Sequence, residues 1–181
     1  MTSRQRKSAR PLVLLLLAFV VPVVLAKLVL SQHWYQEAAT NQGTLLPGDT
    51  NYNDLGMNNP KPRQWQVLYL LPATCDDFCR ERLYLLQQSH TALGRDMDRV
   101  IPLILLNADS DIAALQDRAF TTAQASTAIS QLLAGQQLLV VDPLGNLVMR
   151  YPALTTDETQ LQQGKALLAD LRKLLKLSRV G

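Results

Sequence analysis

The stretch Trp65-Gln66-Val67-Leu68-Tyr69-Leu70-Leu71-Pro72-Ala73-Thr74-Cys75-Asp76-Asp77-Phe78-Cys79 decides how this chain is read. Its first seven residues are mostly apolar and stop at Pro72, the pattern of a short buried strand. The two cysteines that follow are the only two in the protein. From Cys75 to Leu93 apolar residues recur at helical spacing, with Phe78, Leu86 and Leu93 in register and Leu83 between them. The thiols therefore open a helix, where unpaired backbone N–H groups favour a thiolate. Asp76 and Asp77 push the other way, because a carboxylate disfavours a second anion beside it.

Toward the C-terminus, Val100 to Leu106 reads as a second buried strand, with Pro102 near its start, where a strand accepts proline. Asp109 to Phe120 is expected to be a helix, and Thr121 to Ala134 another. Leu138–Val141 and Leu147–Tyr151 are short strands joined by Asp142-Pro143-Leu144-Gly145-Asn146, a turn with Pro and Gly where a hairpin wants them. Thr155 and Glu158 form a capping box for a last helix, whose stripe is Leu161, Leu168, Leu171 and Leu175 and whose end collects Arg172, Lys173 and Lys176. Helical crossovers imply parallel pairing of the first strands, and the hairpin adds an antiparallel one. This is the layout of a thioredoxin-like α/β three-layer sandwich, shared with other small α/β sandwiches.

Toward the N-terminus, residues 31 to 64 lack sustained periodicity and are rich in Asn, Gln, Gly, Thr and Pro. They read as an irregular juxtamembrane segment, a stalk or the wrapping of the domain at 65–181. Before them, Pro11 to Leu30 is apolar apart from Lys27, and about 20 such residues cross a bilayer as a helix. Residues 11–30 are thus expected to be a transmembrane helix behind a basic tail at 1–10. Arg4, Arg6, Lys7 and Arg10 hold that tail in the cytoplasm, which exports the rest. Lys27 is placed to snorkel, and Trp34 and Tyr35 to anchor at the interface. A cleaved signal peptide ending at Val24-Leu25-Ala26 is the competing reading. Both put the domain outside the cytoplasm, in the periplasm of a bacterium, where two cysteines can form a disulfide.

The formal net charge of +3 is a property of the N-terminus. Five of the eighteen basic residues precede residue 31 and no acidic one does, so the remainder is slightly acidic. Nucleic-acid binding, which needs a basic face on the domain, is excluded. A Ser/His/Asp triad, a phosphate-binding Gly-rich loop and a metalloprotease helix have no signature here. His90 lies eleven residues past Cys79 in one helix, roughly 16 Å along its axis, and reads as a helix-face residue with a solvated or capped ring. His33 sits beside Trp34 at the membrane interface. A closed zinc site would need every cysteine and histidine in the chain, and their placement forbids it. Asp109 and Asp111 suit a helix N-terminus better than a carboxylate pair. Cys75 and Cys79 remain, as a redox dithiol, a soft two-thiolate site for Cu(I), or a small structural disulfide.

Cys75-x-x-x-Cys79 after a strand, Leu93-Gly94-Arg95-Asp96 with Asp98-Arg99-Val100, and Leu139-Val140-Val141-Asp142-Pro143-Leu144-Gly145 resemble, in this order, the Sco/SenC family of thioredoxin-like copper chaperones for cytochrome c oxidase assembly. The likeness spans about residues 65 to 177. The membrane anchor and Thr40-Asn41-Gln42-Gly43-Thr44-Leu45-Leu46-Pro47 look more like a divergent group of small membrane proteins associated with bacterial cytochrome oxidase clusters. The resemblance implies that Cys75 and Cys79 are the copper-binding and redox residues. The family's third ligand, a histidine shortly before the Leu-Val-Asp-Pro-type strand, has no counterpart in Gln131-Leu132-Leu133-Ala134-Gly135-Gln136-Gln137, and that loop also lacks the proline that thioredoxin-type enzymes place beside their cysteines. A copper site here would be two-coordinate, suited to Cu(I) and poor for Cu(II).

The expectation is therefore a single-pass protein of the bacterial inner membrane with a periplasmic domain. It would act in cytochrome c oxidase biogenesis through Cys75 and Cys79, with oxidase subunits or assembly factors as partners. A general periplasmic thiol–disulfide oxidoreductase and a non-catalytic membrane interaction module are the alternatives, and no motif makes the chain a classical enzyme.

Overall fold

The computed structural model describes residues 10–31, 41–154 and 157–178. The chain divides into two units, residues 1–40 and 41–181.

The first unit contains α1 (Arg10–Ser31), a helix of 22 residues with Pro22 inside it. Its described apolar side chains, among them Leu14, Phe19 and Val23, are all exposed. Among the described residues no helix is long and apolar enough to cross a membrane.

The second unit is a six-stranded mixed sheet in the order β1-β6-β5-β2-β3-β4. The strands are β1 (Thr44–Leu45), β2 (Trp65–Leu70), β3 (Val100–Leu106), β4 (Thr121–Gln124), β5 (Leu138–Val141) and β6 (Leu147–Tyr151). β2 pairs parallel with β3, Trp65 opposite Val100, and β3 parallel with β4, while β5 runs antiparallel to both β2 and β6. The crossover from β2 to β3 is α2 (Asp77–Thr91). A short helix, α3 (Thr127–Leu132), precedes β5, and α4 (Asp157–Leu177) closes the chain. β4 begins opposite Leu103, so Pro102 lies where β3 has no neighbour on that side to need its missing N–H.

Alternation along the strands builds two cores. Val67, Tyr69, Ile104, Leu138 and Val140 face α2 and α4, meeting Leu83, Leu86, Leu167 and Leu171. Leu68, Leu103, Leu105, Leu139 and Val141 face the other way, meeting Tyr52, Ile129 and Leu133. Between β5 and β6 the turn is built by Asp142, whose Oδ1 accepts the N–H groups of Leu144 and Asn146 at 2.9 and 2.8 Å. Gly145 supplies the positive φ of +96° that this turn needs.

Several expectations are corrected. Of the two readings of the irregular chain before Trp65, residues 41–64 are wrapping: they belong to the same compact unit as 65–181, because polar contacts stitch them onto the sheet. Gln66, fully buried, accepts the Tyr52 hydroxyl at 2.7 Å and donates to Asn59 Oδ1 and the Lys61 carbonyl. Asp109 to Phe120 is not a helix; only Ile112–Leu115 makes one 3₁₀ turn. Ser110 and Asp111 commit their polar groups to the neighbouring loops instead, a competition that short polar side chains often win. Thr121 to Ala134 splits into β4, which suits Thr121 and Thr122 as β-branched residues, and α3, capped by Ser126 Oγ on the Ile129 N–H. The buried face of α4 is Gln160, Gln163, Leu167, Asp170, Leu171 and Leu175, leaving Leu161 half exposed, because the two glutamines and the aspartate find buried partners. The capping box expected at Thr155 and Glu158 rests on Thr155, which lies outside the described residues, and on a Glu158 side chain that is likewise not described.

Candidate functional site

β2 delivers the chain to Leu71 and Pro72 at the C-terminal edge of the sheet, and a four-residue passage leads to α2. Cys75 lies before the helix, not in it. Asp76 is the N-cap, its backbone extended, and its Oδ1 accepts the Cys79 N–H at 2.9 Å. Cys79 is thus in the first turn, and the four-residue offset across the cap brings the Cα atoms of Cys75 and Cys79 to 5.1 Å, where they are joined as a disulfide. Cys75 is 4% exposed and Cys79 not at all.

The passage is held from two sides. Asp111, 36 residues away, donates its N–H to the Pro72 carbonyl at 2.9 Å and accepts the Cys75 N–H on Oδ2 at 3.2 Å. Ser110 Oγ donates to the Leu71 carbonyl at 2.7 Å. From the helix, Arg80 Nη1 donates to the Cys75 carbonyl at 2.7 Å, and its Nη2 pairs with Asp77 at 2.6 Å. Asp111 does occupy the N-cap position of the 3₁₀ turn, yet its side chain caps nothing there and turns to the cysteine loop instead. Nothing in the sequence signals this, since the contact is made only when β3 lies beside β2.

Behind the disulfide, the face of α2 that carries Cys79 also carries Arg82, 1% exposed. Its guanidinium lies 5.4 Å from the centre of the Phe78 ring and donates to Gln163 Oε1, while the buried Nε and Nη2 find no hydrogen-bond partner among the described residues. Burial holds its pKa below the usual guanidinium value. Burial likewise pushes the Tyr69 hydroxyl up, and that hydroxyl donates to Gln136 Oε1 at 2.8 Å. Gln136 is held at φ +62° after Gly135 at +76°, in the loop where the resemblance places a histidine. Next to this loop a cavity of about 230 Å³ is lined by Pro72, Ala73, Asp109, Ser110, Ala134 and Gln136. Both Arg82 and Gln136 escaped the sequence reading, although the spacing of Arg82, three residues after Cys79, would have placed a charge on the buried face.

Of the two expectations for the His90 ring, capped rather than solvated is the one found. Its Nε2 faces the carbonyls of Met97 and Val100 at 3.0 and 2.9 Å, tying the end of α2 to the start of β3. His33 lies outside the described residues. Among the described residues no group of three or more His, Cys, Asp or Glu side chains is placed to hold a metal ion.

Residues 65–178 match the family described as "Transmembrane-like, thioredoxin-like, C-terminal domain". The chain belongs to this family. Its fold is similar to that of apo Sco1 from Thermus thermophilus, with a TM-score of 0.51 and 16% identity over 75% of this chain and 97% of that one. Copper-bound yeast Sco1 gives a TM-score of 0.50 and 14% identity over 70% and 84%. No curated protein sequence matches. At these identities the likeness establishes the fold: the family member is a thioredoxin-like α/β domain with a mixed sheet, as its sequence led us to expect.

Proposed function

We propose that this protein is a membrane-anchored, Sco-like accessory factor of cytochrome c oxidase biogenesis whose working group is the Cys75–Cys79 pair. The observation that carries the reading is the placement of that pair: a disulfide across the N-cap of α2, in a Sco1-like fold. In the reduced state the pair acts as a dithiol. One thiolate attacks a disulfide sulfur of the partner, the second cysteine resolves the mixed disulfide, and two electrons and two protons pass to the partner's thiols as Cys75–Cys79 re-forms. A partner cysteine pair reduced in this way is ready to take copper.

A second reading, that the reduced pair carries Cu(I) as cargo, is favoured by the likeness to a copper-bound Sco1. Two thiolates fit a linear Cu(I) ion. They do not fit Cu(II), since Gln136 is engaged by Tyr69 and Asp111 by Cys75.

The basic N-terminus and the exposed apolar helix Arg10–Ser31 support an anchor in a bacterial inner membrane, N-terminus inside and domain in the periplasm, with oxidase subunits or assembly factors as partners. The test is complementation. A strain carrying Cys75→Ser/Cys79→Ser is expected to lose oxidase activity, and unchanged activity would reject the reading in favour of a scaffold. An anaerobic Cu(I) titration of the reduced protein against a chromophoric chelator separates the dithiol from the carrier.

A further inference from the structure

The disulfide is buried almost completely, and one residue holds both ends of the loop that carries Cys75. Cys75 is 4% and Cys79 0% exposed, so a thiol, phosphine or metal donor has almost no direct access to the pair while the Pro72–Cys75 loop stays where it is. Asp111 grips that loop twice, by its N–H on the Pro72 carbonyl and by its carboxylate on the Cys75 N–H. Arg80 holds the Cys75 carbonyl from the other side, and Ser110 the carbonyl of Leu71. The loop's own middle, Ala73 and Thr74, is exposed, and Ala73 borders the 230 Å³ cavity, which gives the chain room to shift.

We propose that Asp111 is a positioning residue that latches the Cys75 loop shut, and that the disulfide reacts only through a local opening in which the Asp111–Cys75 contact breaks. This deepens the dithiol reading and rests on it. A charge-assisted bond to a carboxylate is stronger than a neutral one, so removing it shifts the opening equilibrium by roughly tenfold or more. The opening is small. It frees one loop without exposing either core, unlike global unfolding.

The experiment is the rate of reduction of the full chain, kept in detergent, by an uncharged trialkylphosphine. Phosphorus attacks one Sγ, the S–S bond breaks, and water supplies the oxygen of the phosphine oxide and the protons of the two thiols. Asp111→Ala is expected to be reduced at least about tenfold faster than wild type, with a rate nearly independent of low denaturant. Asp111→Asn, which keeps the shape and a neutral acceptor, is expected to fall between them. Equal rates in all three proteins would overturn the latch. So would an acceleration that rises with denaturant as global unfolding does, or one seen only with an anionic thiol in place of the phosphine, which would be charge repulsion alone. Should Asp111→Ala not fold, Asp111→Asn against wild type decides the matter by the same criteria. Oxidase complementation by the cysteine double variant is independent of these rates, so failure of the latch and failure of the dithiol reading are told apart.

Discussion

The carboxylate of Asp170 in α4 accepts the backbone N–H of Gly43 at 2.9 Å, closing a span of 127 residues. The same oxygen takes the N–H of Gln42 at 2.8 Å and the hydroxyl of Tyr151 at 2.8 Å, and Lys173 lies 3.5 Å from the other oxygen. Asp170 is fully buried, so the charge is held by these donors. A Cβ on Gly43 would come within 2.6 Å of Met149 and 2.7 Å of Tyr151. Gly43→Ala is therefore expected to cost about 1–3 kcal/mol, and Asp170→Ala about 3–5 kcal/mol, in urea unfolding. A chain beginning at Trp65 is expected to melt well below one beginning at Asn41. Equal melting temperatures would mean that residues 41–64 are not part of the fold.

Arg82 makes a different prediction. It is a buried cation that makes no ion pair among the described residues, where two of its donors find no partner, an arrangement that costs desolvation and regains little. Arg82→Met alone leaves Gln163 Oε1 without its donor, so the paired change Arg82→Met/Gln163→Leu is the cleaner test. It is expected to be as stable as wild type or more stable by about 1–4 kcal/mol. A large loss on denaturant unfolding would show that the guanidinium has a stabilising partner after all.

Reduction of the disulfide is expected to leave the domain folded. The bridge closes a loop of only a few residues, worth about 2 kcal/mol in the chain-entropy account. Far-ultraviolet circular dichroism of the reduced protein should match that of the oxidised one, with a modestly lower melting temperature. Collapse on reduction would make the bridge structural.

Stability should fall in strong alkali. Burial raises the pKa of Tyr52, Tyr69 and Tyr151 in the fold, and the Asp170 carboxylate adds to this at Tyr151. Groups raised in the fold contribute stability that is whole below the unfolded value of 10.0 and is lost as pH climbs past it. Melting temperature is expected to hold to about pH 10 and then drop, and Tyr151→Phe should shallow the drop. An alkaline limb unchanged in Tyr151→Phe would remove that tyrosine from the cause.

The sequence by itself determined the central strands, the helix that follows the cysteines and the closing hairpin and helix. Their signals are local: an apolar run ended by Pro72, helical spacing after Cys75, and a turn whose Asp142 and Gly145 satisfy its own backbone. It also determined that Cys75 and Cys79 meet, since four residues across a helix cap bring two Cα atoms close whatever surrounds them. Tertiary structure decided the rest. Residues 41–64 have no periodicity because their stability comes from single buried polar contacts, Tyr52 to Gln66 and Asp170 to Gly43, that no repeat encodes. Thr121–Gln124 is a strand because β3 offers it an edge, and Asp109–Phe120 is not a helix because Ser110 and Asp111 are taken by the cysteine loop. Asp111 reaches Cys75 across 36 residues only through the parallel pairing of β2 and β3. A contact of that range depends on where the whole sheet puts two loops, and local chemistry carries no record of it.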